Sequence, residues 1–254
     1  MENILNDFDY DKSAILEPSM MVKKSDNFPK VAVGTFSGKL FESLKEWDNV
    51  EQLGEITSAN GAEPIYKIVY KGEAVAIFKA FVGAPSCAAA FEEIIAMGVE
   101  KIVLFGSCGV LNHEIADGHI IVPTSAVRDE GTSYHYLPVS EEVELENKSV
   151  DTVVNVLDNL GYPYVLGKTW TTDGVYRETK AKLENRKKRG CICVEMECSA
   201  LAAVTKFRNV RFAQFLYAAD NLDSPNWDIR GLGKHLLSQK EKLLVVALEC
   251  AIKL

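Results

Sequence analysis

A helix-like run held between two strand-like runs constrains this chain most. Residues 74–78 are apolar, residues 87–97 follow Pro85 and stop at Gly98, and residues 101–110 (KIVLFGSCGV) form a second apolar run. A helix that links two strands of one sheet makes them parallel. Parallel strands are covered on both faces, so their interiors read as unbroken apolar runs and their polar chemistry collects at the carboxyl ends. The run 101–110 has that form, closing in Gly106, Ser107, Cys108 and Gly109. Bare backbone N–H groups and a hydroxyl there suit an anion or a flat ring.

The same pattern recurs along the chain. Residues 30–33 (KVAV) lead into Gly34-Thr35-Phe36-Ser37-Gly38 and a helix; this is either a phosphate-binding turn or an ordinary tight connection. Residues 65–70 and 74–78 flank Lys71-Gly72-Glu73 as a β-hairpin. Residues 191–200 (CICVEMECSA) pass from a strand through Glu195, Met196 and Glu197 into a small-residue helix. Residues 211–219 form a last apolar strand that delivers Asp220. Further strands are expected at 119–122 and 164–171, and helices at 149–160 and 232–252. The last has an apolar stripe at Leu236, Leu237, Leu243, Leu244, Ala247 and Leu248. The expected fold is α/β, a single domain with a mixed central β-sheet flanked by helices. Residues 30–254 would form that domain, and residues 1–29 an N-terminal arm with a short apolar anchor at 14–16.

Composition narrows the function classes. A chain of 254 residues with 47% hydrophobic content suits one large core. No apolar run reaches membrane-spanning length, and the acidic N-terminus lacks the basic start of a signal peptide, so a cytoplasmic location is expected. The net charge of -8 argues against nucleic-acid binding. The basic stretch Arg186-Lys187-Lys188-Arg189 ends a helix and suits its dipole. Six cysteines sit in apolar runs, which fits reduced, buried thiols; Cys191 and Cys193 have no nearby histidine or second pair to complete a metal site. Cys108 lacks an activating neighbour in sequence and suits packing.

Three strand ends therefore carry chemistry: Ser107, Glu197 and Asp220, with the Gly34 turn a candidate fourth. One carboxylate can accept from vicinal hydroxyls while a second relays a proton, which suits a ribose-like group and a basic leaving group. The segment 128–136 (RDEGTSYHY) is dense in hydrogen-bonding groups and is either a functional or subunit-contact element or a loop tied internally.

These residues resemble the nucleoside phosphorylase and nucleosidase superfamily, in particular its hexameric purine nucleoside and uridine phosphorylase branch. The resemblance covers roughly residues 30–252 and rests on GAPSCAAAFEEIIAMGVEKIVLFGSCGVL, on VEMECSALAAV and on TTDGVYRET. It implies that Glu197, Met196, Glu195 and Val82 bind ribose and that Gly34 and Ser107 bind phosphate. It further implies that Cys108, Gly109, Val175, Tyr176 and Arg177 line the base and that Asp220 is the catalytic acid. The resemblance implies no metal and no cofactor, with inorganic phosphate as co-substrate and a small-molecule nucleoside, purine or pyrimidine, as substrate. A homo-oligomer is implied, a dimer or trimer of dimers whose sites are completed by a neighbouring chain. The family places an arginine where this chain has Leu104, a second after the first glycine turn, here TFSGKL, and a third in the first half; here the first 127 residues contain none. Guanidinium clamps on phosphate are not reproduced by lysine in kind. Hydrolysis by water, and nucleoside binding without catalysis, are the alternatives.

Overall fold

A computed structural model describes residues 4–59 and 61–254. The ten strands are β1 (Val31–Thr35), β2 (Val50–Ser58), β3 (Gly61–Tyr70), β4 (Glu73–Lys79), β5 (Lys101–Val110), β6 (Ile120–Asp129), β7 (Glu142–Glu144), β8 (Tyr164–Thr172), β9 (Cys191–Glu195) and β10 (Arg211–Asn221). The helices are α1 (Pro18–Met21), α2 (Gly38–Ser43), α3 (Ala84–Met97), α4 (Asn147–Leu160), α5 (Lys180–Lys188), α6 (Cys198–Arg208) and α7 (Leu237–Lys253).

The strands form one mixed sheet in the order β10-β6-β8-β9-β5-β1-β4-β3-β2, and β10 also pairs with β5. That extra pairing closes β5, β10, β6, β8 and β9 into a ring, from which β1, β4, β3 and β2 extend as an open wing. The expected crossover is present: β4 and β5 both run parallel to β1, with α3 between them. The hairpin turns between Tyr70 and Glu73 as expected.

Apolar periodicity sets what each helix buries. Gly98 caps α3, and Ala84, Cys87, Ala88, Ala90, Phe91, Ile94 and Met97 are buried along it. Phe91 meets the rings of Phe78 and Phe212 edge-on, each at 5.8 Å. Burying one such ring is worth about 2–3 kcal/mol. The small residues at the start of α6, Cys198 to Ala203, are all buried and let it pack against α3. On another face of the sheet, α7 packs over β5 and β1.

Several expectations need correction. The anchor at 14–16 does not pack: Ile15 and Leu16 are 102% and 68% exposed. The arm is instead joined to the body by Val22 and Phe28, which pack against the core; its first three residues lie outside the described residues. The closing helix begins at Leu237, because Gly231 and Gly233 hold the preceding segment in turns; Leu236 and Leu237 are exposed and the packed stripe starts at Leu243. The segment 128–136 is tied internally. Arg128 donates from Nε to Ser133 Oγ at 2.8 Å and from Nη1 to the Pro138 carbonyl at 2.6 Å, and lies 4.0 Å from the Tyr134 ring centroid. His135 is exposed on this loop. The basic end of α5 is tied down too, with Arg186 on Asp129, Lys187 on Asp223 and Arg189 on Glu141.

Candidate active site

Strand ends β5, β9 and β10 converge on one cavity of about 940 Å³. Strand β5 contributes Ser107, Cys108 and Gly109; the β9–α6 corner contributes Glu195, Met196 and Glu197; β10 contributes Asp220. Val82, from the corner before α3, and Val175 and Tyr176, from the turn after β8, bring the expected residues in its lining to ten. These ten residues are far apart in sequence, and ring closure through the β10–β5 pairing is what gathers them.

Register explains how Asp220 reaches the cavity. A bulge between Ala218 and Asp220 sets Asp220 opposite Gly109 on β5. A Cβ on Gly109 would lie 2.5 Å from Leu222 Cδ1 and 3.3 Å from the Asp220 carboxylate, so glycine here leaves room for both side chains. Asp220 Oδ2 accepts from Trp227 Nε1 at 2.8 Å. Burial raises the Asp220 pKa above the ordinary aspartate range, while the Trp227 bond opposes that rise.

The two glutamates of the β9–α6 corner have different jobs. Glu195 Oε2 accepts from the N–H groups of Glu197 and Cys198 at 2.7 and 2.6 Å, and Oε1 accepts from Thr171 Oγ1 at 2.6 Å. Both of its oxygens are thus spent on the first turn of α6 and on β8. Glu195 fastens the corner, which revises its expected place among the ribose contacts. Glu197 Oε1 accepts one bond, from the Gly83 N–H at 2.5 Å, and this joins the Val82 corner to α6. Glu197 also has the Met196 backbone N–H as a neighbour and lines the cavity. Burial pushes Glu195 up to about 7; burial and then the Glu195 charge push Glu197 up to about 8.

Two expected residues do not line the cavity. Gly34 lies inside β1, where a Cβ would stand 2.7 Å from both Leu104 Cδ1 and Phe78 Cζ. It is a packing glycine, and Leu104 fills the space above it. Arg177 is exposed at the end of a short 3-10 turn. Cys108 is buried, its Sγ set 3.7 Å from the Tyr217 carbonyl, and burial raises its thiol pKa well above the ordinary range, which agrees with packing rather than nucleophilic attack. All six cysteines are free and buried.

Sequence reasoning missed other lining residues, among them Phe36, Glu178, Leu222 and Trp227. Glu178 stands in the quoted TTDGVYRET, yet nothing in that string shows that it is buried; burial, then the Asp220 charge, push its pKa up to about 7. Among the described residues, the lining holds six carboxylates (Glu178, Glu184, Glu195, Glu197, Asp220, Asp223) and one cation, Lys180. Among the described residues, too, no helix is long and apolar enough to cross a membrane.

Comparison with known proteins agrees with this architecture. The chain is 25% identical to a guanosine phosphorylase of Halorubrum lacusprofundi over 172 residues, 68% of this chain and 71% of that one. It is 33% identical to a uridine phosphorylase of Thermococcus kodakarensis over 107 residues, 42% of this chain and 39% of that one. In fold it is similar to a purine nucleoside phosphorylase of Toxoplasma gondii solved with immucillin-H, at a TM-score of 0.75 and 20% identity over 89% of this chain and 92% of that one. Residues 30–247 match the family model of the Phosphorylase superfamily, and the chain belongs to that superfamily.

Proposed function

We propose that the protein cleaves the N-glycosidic bond of a purine or pyrimidine nucleoside with inorganic phosphate. The observation that carries this reading is the meeting of Glu197, Ser107 and Asp220 in one cavity. Glu197, with one oxygen on Gly83 and its carboxylate in the cavity wall, accepts from the 2' and 3' hydroxyls of the sugar. Met196 and Val82 cover the sugar, and Cys108, Gly109, Val175 and Tyr176 border the base. Asp220, held by Trp227 and raised in pKa by burial, gives a proton to the departing base. The C1'–N bond breaks, a C1'–O bond to phosphate forms, and the proton ends on the base nitrogen. Positioning and electrostatics lower the barrier, with no metal and no organic cofactor in the scheme.

One observation favours a second reading. The cavity lining has six carboxylates against Lys180, a poor home for a phosphate dianion, so hydrolysis by water or binding without cleavage competes with phosphorolysis. Incubation with a nucleoside panel, with and without phosphate, separates them by release of free base. Phosphate-dependent release supports the proposal, phosphate-independent release supports hydrolysis, and binding without release leaves a nucleoside sensor. A cytoplasmic setting belongs to the same proposal, supported by the six free thiols. So does assembly into a homo-oligomer, supported by the exposed apolar rim at Val82 and Tyr176, 67% and 95% accessible. Residues 30–254 are proposed as the domain unit and residues 1–29 as its arm.

A further inference from the structure

The cleft holds a carboxyl that nothing in the chain answers. Glu178, in the turn before α5, lines it, and among the described residues its side chain has no hydrogen-bond or ion-pair partner. Its charged neighbours are Asp220, of like sign, and Lys182, whose Nζ already stands 3.1 Å from Asp129 Oδ2. The other cations of this wall are engaged or outlying: Lys187 pairs with Asp223, and Lys180 is exposed at the first position of α5. Burial, then the Asp220 charge, hold Glu178 at about 7, and a cation bound beside the two carboxyls reverses that rise. The negative charge is local to the cleft. A small side chamber of about 240 Å³ adjoins it, sharing Phe36, Ser107 and Leu232, and has no carboxylate in its lining.

Aromatic faces stand beside the acids. Phe36 lies over Gly106, Trp227 gives its indole N–H to Asp220 Oδ2 at 2.8 Å, and Tyr176 is exposed at the rim. Among the described residues, none of these three rings is paired with another ring or with a cation. Carboxylates attract any cation, whereas open ring faces favour a flat, delocalised one, because the ring quadrupole and the full charges then pull together.

We propose that the cleft takes nucleosides whose base carries a fixed positive charge, an N-alkylated purine or an N-ribosylpyridinium, and that Glu178 selects them. The chemistry rests on the proposed glycosidic cleavage. The C1'–N bond breaks with its electron pair passing to the cationic ring, which leaves as a neutral base, and a C1'–O bond to phosphate forms. No proton is transferred to the base, so Asp220 serves such a substrate by its charge and not as an acid.

The test is calorimetric titration of the full chain at neutral pH, without phosphate, with two pairs of ligands that differ in charge. Nicotinamide riboside is set against its neutral dihydro form, and 7-methylguanosine against guanosine. The cationic member is expected to bind about tenfold more tightly in low salt, with the gap narrowing as salt is added. Glu178→Gln keeps the shape, loses the charge and is expected to close the gap, while Glu178→Asp keeps it. Glu55→Gln makes the same change in net charge on the exposed face of β2 and is expected to leave the gap unchanged. If Glu178→Gln melts early, Glu178→Ser replaces it. A gap in one pair alone supports the proposal and assigns the ring type. Equal or weaker binding of both cationic members, or a gap that survives Glu178→Gln, overturns it. Phosphate-dependent release of base from neutral nucleosides, with no charge preference in binding, overturns the selection and leaves phosphorolysis standing. Charge-selective binding with no base release from any nucleoside does the reverse.

Discussion

The large cleft and the small side chamber share Ser107 and Phe36 but are built from opposite chemistry. The cleft is edged by Glu178, Glu195, Glu197 and Asp220, whereas the chamber has hydroxyls, His235 and Lys240 and no carboxylate. Sugar hydroxyls and a base awaiting a proton need acceptors and an acid; an oxyanion needs donors and positive charge. One pocket cannot serve both well. Two like charges 4 Å apart cost about 4 kcal/mol at the effective dielectric of a protein surface. The fold separates the two chemistries by geometry. Strands β9 and β10 bring acids to one side of the β5 end, while Thr35 of β1, Ser37 before α2 and Lys240 of α7 lie on the other.

The largest expected effect breaks one side alone. Glu197→Ala removes the buried carboxylate of the cleft and is expected to lower kcat/KM for nucleoside by about a hundredfold or more, since hydrogen bonds to a charged group are the strong ones. Phosphate affinity, measured by titration without nucleoside, is expected to stay at the wild-type value. Parallel loss of both would show that the chambers are one site. Because burial and Glu195 push Glu197 up to about 8, nucleoside binding to the wild type is expected to strengthen as pH rises towards that value and Glu197 ionises. A flat affinity profile between pH 6 and pH 9, a span of roughly three units about the residue's raised value, would remove Glu197 from the hydroxyl contact.

Glu195→Ala comes next, and its effect is on the fold. The substitution strands the N–H groups of Glu197 and Cys198 and the Thr171 hydroxyl, all buried donors. The expected cost is about 3 kcal/mol, a fall in Tm of about 6–12 °C for a chain of this size. The pH dependence has a definite sign. In the folded chain Glu195 is raised to about 7 and Glu197 to about 8 from an ordinary value of 4.5, so the folded state holds protons that the unfolded chain releases. Stability from this pair is therefore greatest below pH 4.5 and declines as pH rises from there towards 8. Denaturant melts across that window are expected to show a shallower decline in Glu195→Ala than in the wild type.

How far the sequence foretold this arrangement depends on range. The crossover through α3 was legible because Pro85 and Gly98 bracket an apolar helix, and β5 has the very bounds its apolar run shows. The β9–α6 corner was legible because VEMECSA switches from strand to small-residue helix within three residues. Strand β2 left no trace: it is an edge strand with Ile56 as its buried residue and five exposed neighbours offering no alternation. Ring closure was also hidden, because β10–β5 pairing joins residues about a hundred positions apart and no local pattern encodes it. That closure decides what is buried at the cleft, which is why Glu178 and Trp227 escaped notice. Gly34 misled for the opposite reason. A glycine after a strand suits an anion turn, yet here it clears space for Leu104 and Phe78 one row below the cavity.

The smallest effect sharpens the cleft side of the comparison. Trp227 is 61% exposed, and its indole N–H supports the ionised form of Asp220. Trp227→Phe keeps most of the apolar cover and deletes that donor, so the Asp220 pKa is expected to rise further. An acid that must be protonated to act then stays active to higher pH, and the alkaline limb of the kcat/KM profile moves up. Because the indole is solvent-facing, the change in rate on that limb is expected to be modest, about threefold. A downward shift of the alkaline limb would mean that Asp220 works as a carboxylate, and the proton for the leaving base would then have to come from Glu178, which faces the same cleft with its own pKa pushed up to about 7.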